Sequence, residues 1–182
     1  MKKQLVILLA AAAVALGGCG NGNAADQGRH ESGHADMNHS TSGEVPEGMK
    51  EASDPAFPVG SRAIIRADHM EGMNGAEATV VGAYDTTVYT VSYTPTTGGE
   101  RVTGHKWVIH EEVEGAGETP YAPGDEVVLK AGHLEGMAGA KATIDAAERT
   151  TVYMVDYVPT TGGEPVKNHM WVTESELEAP QE

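Results

Sequence analysis

The chain has 182 residues, with 12 Lys and Arg against 27 Asp and Glu, for a net charge of −15. Nucleic-acid binding needs a basic footprint and docking on anionic lipid needs basic clusters, so this balance argues against both. The single cysteine excludes a disulfide within the chain, so the folded part must rest on an apolar core or a bound ligand.

Lys2 and Lys3 precede an apolar run of twelve residues, Leu5 to Leu16. That is too short for a spanning helix of about 20 residues and fits the core of a signal peptide. Leu16-Gly17-Gly18-Cys19 then resembles the lipobox of bacterial lipoproteins. The resemblance implies removal of residues 1–18, lipidation of Cys19, and an extracytoplasmic protein anchored to the cell membrane. An ordinary signal peptide followed by a stray cysteine is the competing reading. Removal of Lys2 and Lys3 leaves 10 basic against 27 acidic residues, a net charge of −17.

Residues 19–56 are polar and poor in aliphatic side chains, a composition that predicts a disordered tether. Within it, "RHESGHADMNHS" places His30, His34, Met37 and His39 close together, a short tract of metal-binding character.

An internal repeat follows. Residues 57–114 align with 121–178 without a gap, 29 of 58 positions being identical, and "GAGETP" (115–120) links the copies. The sequence predicts five short elements in each copy. "SRAIIRA" and "DEVVLKA" read as first strands, "GAEATVVGAY" and "GAKATIDAAE" as second strands. "TTVYTVSYTP" and "TTVYMVDYVP" are β-branched and aromatic third strands. "PTTGGE" is a turn, "HKWVIH" and "HMWVTE" are fourth strands, and "EEVE" and "SELE" each predict one helical turn. The expected class is all-β: two tandem small Src-homology-3-like or KOW-like barrels after the tether, one in 57–114 and one in 121–178.

The repeats duplicate a set of side chains with ligand chemistry. His69, Met73 and His105 recur as His133, Met137 and His169, with Trp107 and Trp171 two residues after the second histidines. Met70 faces Leu134 in the alignment, and Met170 faces Lys106, so each copy carries a methionine at a place where the other has none. Thioether and imidazole together select a soft ion, copper above all; zinc favours Cys, His and carboxylate. The competing reading makes Met73 and Met137 core fillers, Trp107 and Trp171 core anchors, and the histidines ordinary polar residues. Glu71 and Glu135, which also recur, read as solvated turn residues or as carboxylates behind an imidazole. No nucleophile elbow, no thiol nucleophile and no HExxH motif occurs, so no enzyme is expected.

The tandem "H-(M/L)-E-G-M-x-G-A-x-A-T", "T-T-V-Y-x-V-x-Y-x-P-T-T-G-G-E" and "H-x-W-V" resemble the YdhK-type bacterial lipoproteins, which carry two copies of a domain of unknown function. The resemblance spans residues 57–178 and implies a surface lipoprotein. Some relatives are associated with copper resistance, which implies that His69, Met73, His105, His133, Met137 and His169 are candidate copper ligands. Met70, Met170, His30, His34, Met37 and His39 are further candidates. The expected function is non-enzymatic copper binding and buffering at the cell surface, with no nucleic-acid partner. The alternative is a cell-wall or protein interaction module without a metal, presenting Tyr84, Tyr89, Tyr93, Trp107 and their counterparts in a groove.

Overall fold

The computed structural model describes residues 41–181. The expected signal segment 1–18, Cys19 and the tract holding His30, His34, Met37 and His39 lie outside the described residues.

The strands are β1 (Lys50–Glu51), β2 (Arg62–Ile65), β3 (Glu77–Tyr93), β4 (Val102–Ile109), β5 (Glu126–Val128), β6 (Lys141–Tyr157), β7 (Val166–Thr173) and β8 (Leu177–Glu178). Short 3-10 turns at His110–Glu112 and Glu174–Glu176 end β4 and β7. They occupy the places where one helical turn per copy is expected. The all-β class therefore holds. In place of two separately closed units, there is one open eight-stranded antiparallel sheet.

The sequence predicts a second and a third strand in each copy. The structure fuses them into single 17-residue strands, β3 and β6. The reason lies at the junctions: "AYDTT" and "AAERTT" contain no Gly or Pro to force a turn, and the flanks are rich in Val, Thr and Tyr. Instead of folding back on itself, β3 runs alongside β6 from Ala78 opposite Tyr157 to Tyr93 opposite Ala142. Thr86 faces Thr150, its own counterpart in the repeat. A pseudo-twofold axis thus passes through this pair. The register slips once in each strand, at Val81 and at its counterpart Asp145; each bulge sharpens the local twist.

This pairing interleaves the two repeats. One core joins Ile65, Met73 and Val80 of the first copy to Tyr153, Val155, Tyr157 and Val172 of the second. Its pseudo-twofold counterpart joins Tyr89, Val91, Tyr93 and Val108 to Leu129, Met137 and Ile144. The ends cross over too: β8 pairs with β2, and Val113 bridges to Leu129. A third cluster, Val88, Trp107, Ile109, Val152, Met154 and Trp171, brings both indoles together near the axis.

The expectation of disorder through residue 56 is corrected from Thr41 onward. Val45 and Met49 pack on the third cluster, β1 pairs with Tyr84 and Asp85, and Thr41 exchanges hydrogen bonds with Lys167 and Asn168. The few apolar residues of this stretch suffice because the rim of the two-indole cluster offers them a partner.

Candidate functional site

Each first strand leads into a tight turn, Asp68–Gly75 and its counterpart 132–139. In the first, Met73 N–H donates to the Met70 carbonyl at 3.3 Å; in the second, Met137 N–H donates to the Leu134 carbonyl at 3.1 Å. This curl separates the His and Met of the repeated motif. Met73 and Met137 point into the two pseudo-twofold-related cores and are wholly buried, at 0% exposure. The structure therefore places them as core fillers, away from any open site.

The histidines go elsewhere. His69 Nε2 lies 2.8 Å from Glu176 Oε1, and His133 Nε2 lies 2.8 Å from Glu112 Oε1. The same carboxylates hold the tryptophans: Trp107 Nε1 donates to Glu176 at 2.8 Å and Trp171 Nε1 to Glu112 at 3.3 Å. Backbone N–H groups complete the cradles, from Thr173 to Glu176 and from Ile109 to Glu112. In both triads the His and the Trp come from one repeat and the Glu from the other. Burial pushes the Glu176 carboxyl upward; the His69 hydrogen bond and charge, with the Thr173 and Trp107 donors, outweigh it and hold it at about 2. An ionised carboxylate only accepts, so Nε2 of His69 donates to it. A carboxylate behind an imidazole is the arrangement that fixes tautomer and raises basicity in metal-binding histidines.

A cleft of about 360 Å³ opens beside these triads. His69 and Met70 line it from one turn, His133 and Leu134 from the equivalent turn, and Lys106 and Met170 from equivalent places on β4 and β7. The cleft thus lies where the repeats meet, walled by three pairs of counterparts. His105 also lines it, its ring centroid 6.1 Å from that of His133 and 6.0 Å from that of Tyr93. His169 does not line it: it is 5% exposed and stands edge-on to Tyr157. The two self-contained sets expected from the sequence, one per copy, are thus replaced by one gathering of side chains from both copies. Among the described residues, no group of three or more His, Cys, Asp or Glu is arranged to hold a metal ion, so a metal here would draw on thioethers.

Glu112 and Glu176 are the site residues that sequence reasoning missed. Their signal was present, since both copies carry Glu at this place within "EEVE" and "SELE", but acidic residues are too frequent here for two to stand out. His110, which has no counterpart in the second copy, bonds Tyr89 and the Gly117 carbonyl and fastens the linker. Of the aromatic residues named for the alternative reading, Tyr89, Tyr93, Trp107, Tyr153, Tyr157 and Trp171 are buried, while Tyr84 is half-buried.

A two-repeat all-β chain with paired His–Glu–Trp triads is the class these observations define. Residues 59–110 and 123–174 both match the family described as "Protein of unknown function (DUF1541)", and the chain belongs to that family. It is 56% identical over 183 residues to the uncharacterized protein YdhK of Bacillus subtilis strain 168, covering 98% of this chain and 89% of that one. A crystal structure of YdhK from the same organism superposes with a TM-score of 0.77 at 62% identity, covering 81% of this chain and 100% of the other. A solution structure of the YdhK C-terminal domain gives 0.65 at 65% identity, covering 68% of this chain and 93% of that one.

Proposed function

We propose that the protein is a non-enzymatic extracytoplasmic lipoprotein, anchored through Cys19, that binds copper and buffers it at the cell surface. The observation that carries this reading is the cleft: it gathers His69, His105 and His133 with two methionines that the repeats do not share, Met70 and Met170. Imidazole and thioether donors in one place are the ligand chemistry of copper. The carboxylates behind His69 and His133 supply the second layer that such ligands use. The tether histidines would capture Cu(II) or pass ions inward. We further read each half of the open sheet as a strongly bent, Src-homology-3-like or KOW-like unit that draws strands from both repeats.

The test is copper retention after dialysis under reducing conditions, on the mature chain with Cys19→Ser and with His30, His34, Met37 and His39 replaced by Ala. Retained Cu(I) supports the reading. A chain that holds copper only when its tether residues are intact, or not at all, overturns it. Lipidation is checked by the shift from membrane to medium expected of Cys19→Ser.

A further inference from the structure

We infer that the cleft is a single, asymmetric site for one soft monovalent cation per chain, Cu(I) or its analogue Ag(I), and that Met70 and Met170 are its specificity-determining ligands. This deepens the copper reading and rests on it. Three observations converge.

The first is the count. Duplication of a domain leads one to expect two equal sites, yet the cleft is lined by His105 and not by its counterpart His169, which is buried against Tyr157. The pocket is common to both repeats, and its walls are unequal. The second is where the repeats differ. Two of the three wall pairs, Met70 with Leu134 and Lys106 with Met170, are unlike, and in each pair one member is a thioether. The first copy supplies its methionine from the turn after β2, the second from β7, so the two sulfurs enter from different elements. The third is the imidazoles. The ring centroids of His105 and His133 lie 6.1 Å apart, close to the roughly 6 Å spanned by two imidazoles sharing one ion through bonds of about 2 Å. His69 and His133 each have Nε2 committed to a carboxylate, which leaves Nδ1 as the ligating atom.

Neutral thioethers lower the affinity for hard divalent ions and favour a soft monovalent one. The charged groups on the cleft wall, Asp68 and Lys106, are of opposite sign, and the Lys106 ammonium sits 4.9 Å above the Trp107 ring. That ammonium repels a divalent ion twice as strongly as a monovalent one.

The chain supplies its own control substitutions. Leu already occupies the Met70 position in the second copy and Lys the Met170 position in the first, so Met70→Leu and Met170→Lys place side chains that the fold accommodates. The experiment titrates Ag(I) into the mature Cys19→Ser chain carrying the tether replacements, labelled with 13C at the methionine methyls. Thermal melting checks that each variant is folded. The expected result is saturation at one equivalent, with shifts of the Met70 and Met170 methyls while those of Met73 and Met137 stay in place. Each of the two substitutions should weaken Ag(I) binding by roughly tenfold or more. Saturation at two equivalents, or binding that survives both substitutions but is lost on His69→Ala with His133→Ala, overturns the single asymmetric site while leaving a copper-binding cleft. Absence of any methyl shift and of any retained ion overturns both.

Discussion

His69 and Met73 stand four residues apart in both copies of the motif, and that spacing reads equally well as a chelate or as a turn that divides its side chains. The turn divides them. The physical reason is the hydrogen bond from Met73 N–H to the Met70 carbonyl, which curls the chain so that the thioether of Met73 fills a core drawn from both repeats. Such a destination is not legible locally, because the walls of that core, Tyr153 and Val155 among them, come from the other copy. The same holds for His69, whose partner Glu176 is 107 residues away. By contrast Met70, named in the sequence only as a further candidate, is the methionine of this turn that reaches the cleft. Met73→Ala and Met137→Ala should each cost about 2–5 kcal/mol, the usual cost of truncating a wholly buried methionine, measured by urea unfolding. Copper content of the folded protein should not change. A loss of copper without loss of stability would return these residues to the site.

Between elements, two sequence motifs that look like independent turns turn out to be partners. "EGM" in one copy receives "PTT" from the other. Thr160 N–H donates to the Gly72 carbonyl at 2.8 Å, and Thr96 N–H donates to the Gly136 carbonyl at 2.8 Å. Gly72 has φ of +73°, and a Cβ there would stand 2.6 Å from Thr161 Oγ1 and 2.9 Å from Pro159 Cβ. Gly136 repeats this against Thr97 and Pro95. The sequence marks all these positions as turn residues; that the turns meet follows only from β3 and β6 lying side by side. Gly98 provides the comparison, since its φ is +85° and a Cβ added there would meet nothing within 4 Å. Gly98→Ala should therefore show only the cost of positive φ, about 1 kcal/mol. Gly72→Ala and Gly136→Ala should show that cost and a steric one, with clearly lower melting temperatures. Equal losses at all three positions would mean that the contact between the motifs contributes nothing.

For the whole molecule, the repeat seen in the sequence and the unit that folds are different things. Two domains in tandem, each with its own core, would separate when the linker is cut. Here neither repeat holds a complete core: Ile65 and Met73 need Tyr153 and Val155, and Leu129 and Met137 need Tyr89 and Val91. The strands β3 and β6 pair at 15 positions, and β8 closes on β2 from the opposite copy. A unit of about 58 residues is marginal by itself, and exchanging strands lets each copy bury the apolar faces the other leaves open. The linker 115–120 is largely exposed, and its Gly117 carbonyl accepts a hydrogen bond from the His110 ring. A protease site placed there should be cut readily in the native protein. The two fragments should then remain together and elute as one species of the intact mass, separating only in denaturant. They should also keep the His69–Glu176 and His133–Glu112 pairs, since each joins the two fragments. Fragments that part on a sizing column without denaturant would show that the repeats close their cores separately, and the shared cleft would fall with the interleaved sheet.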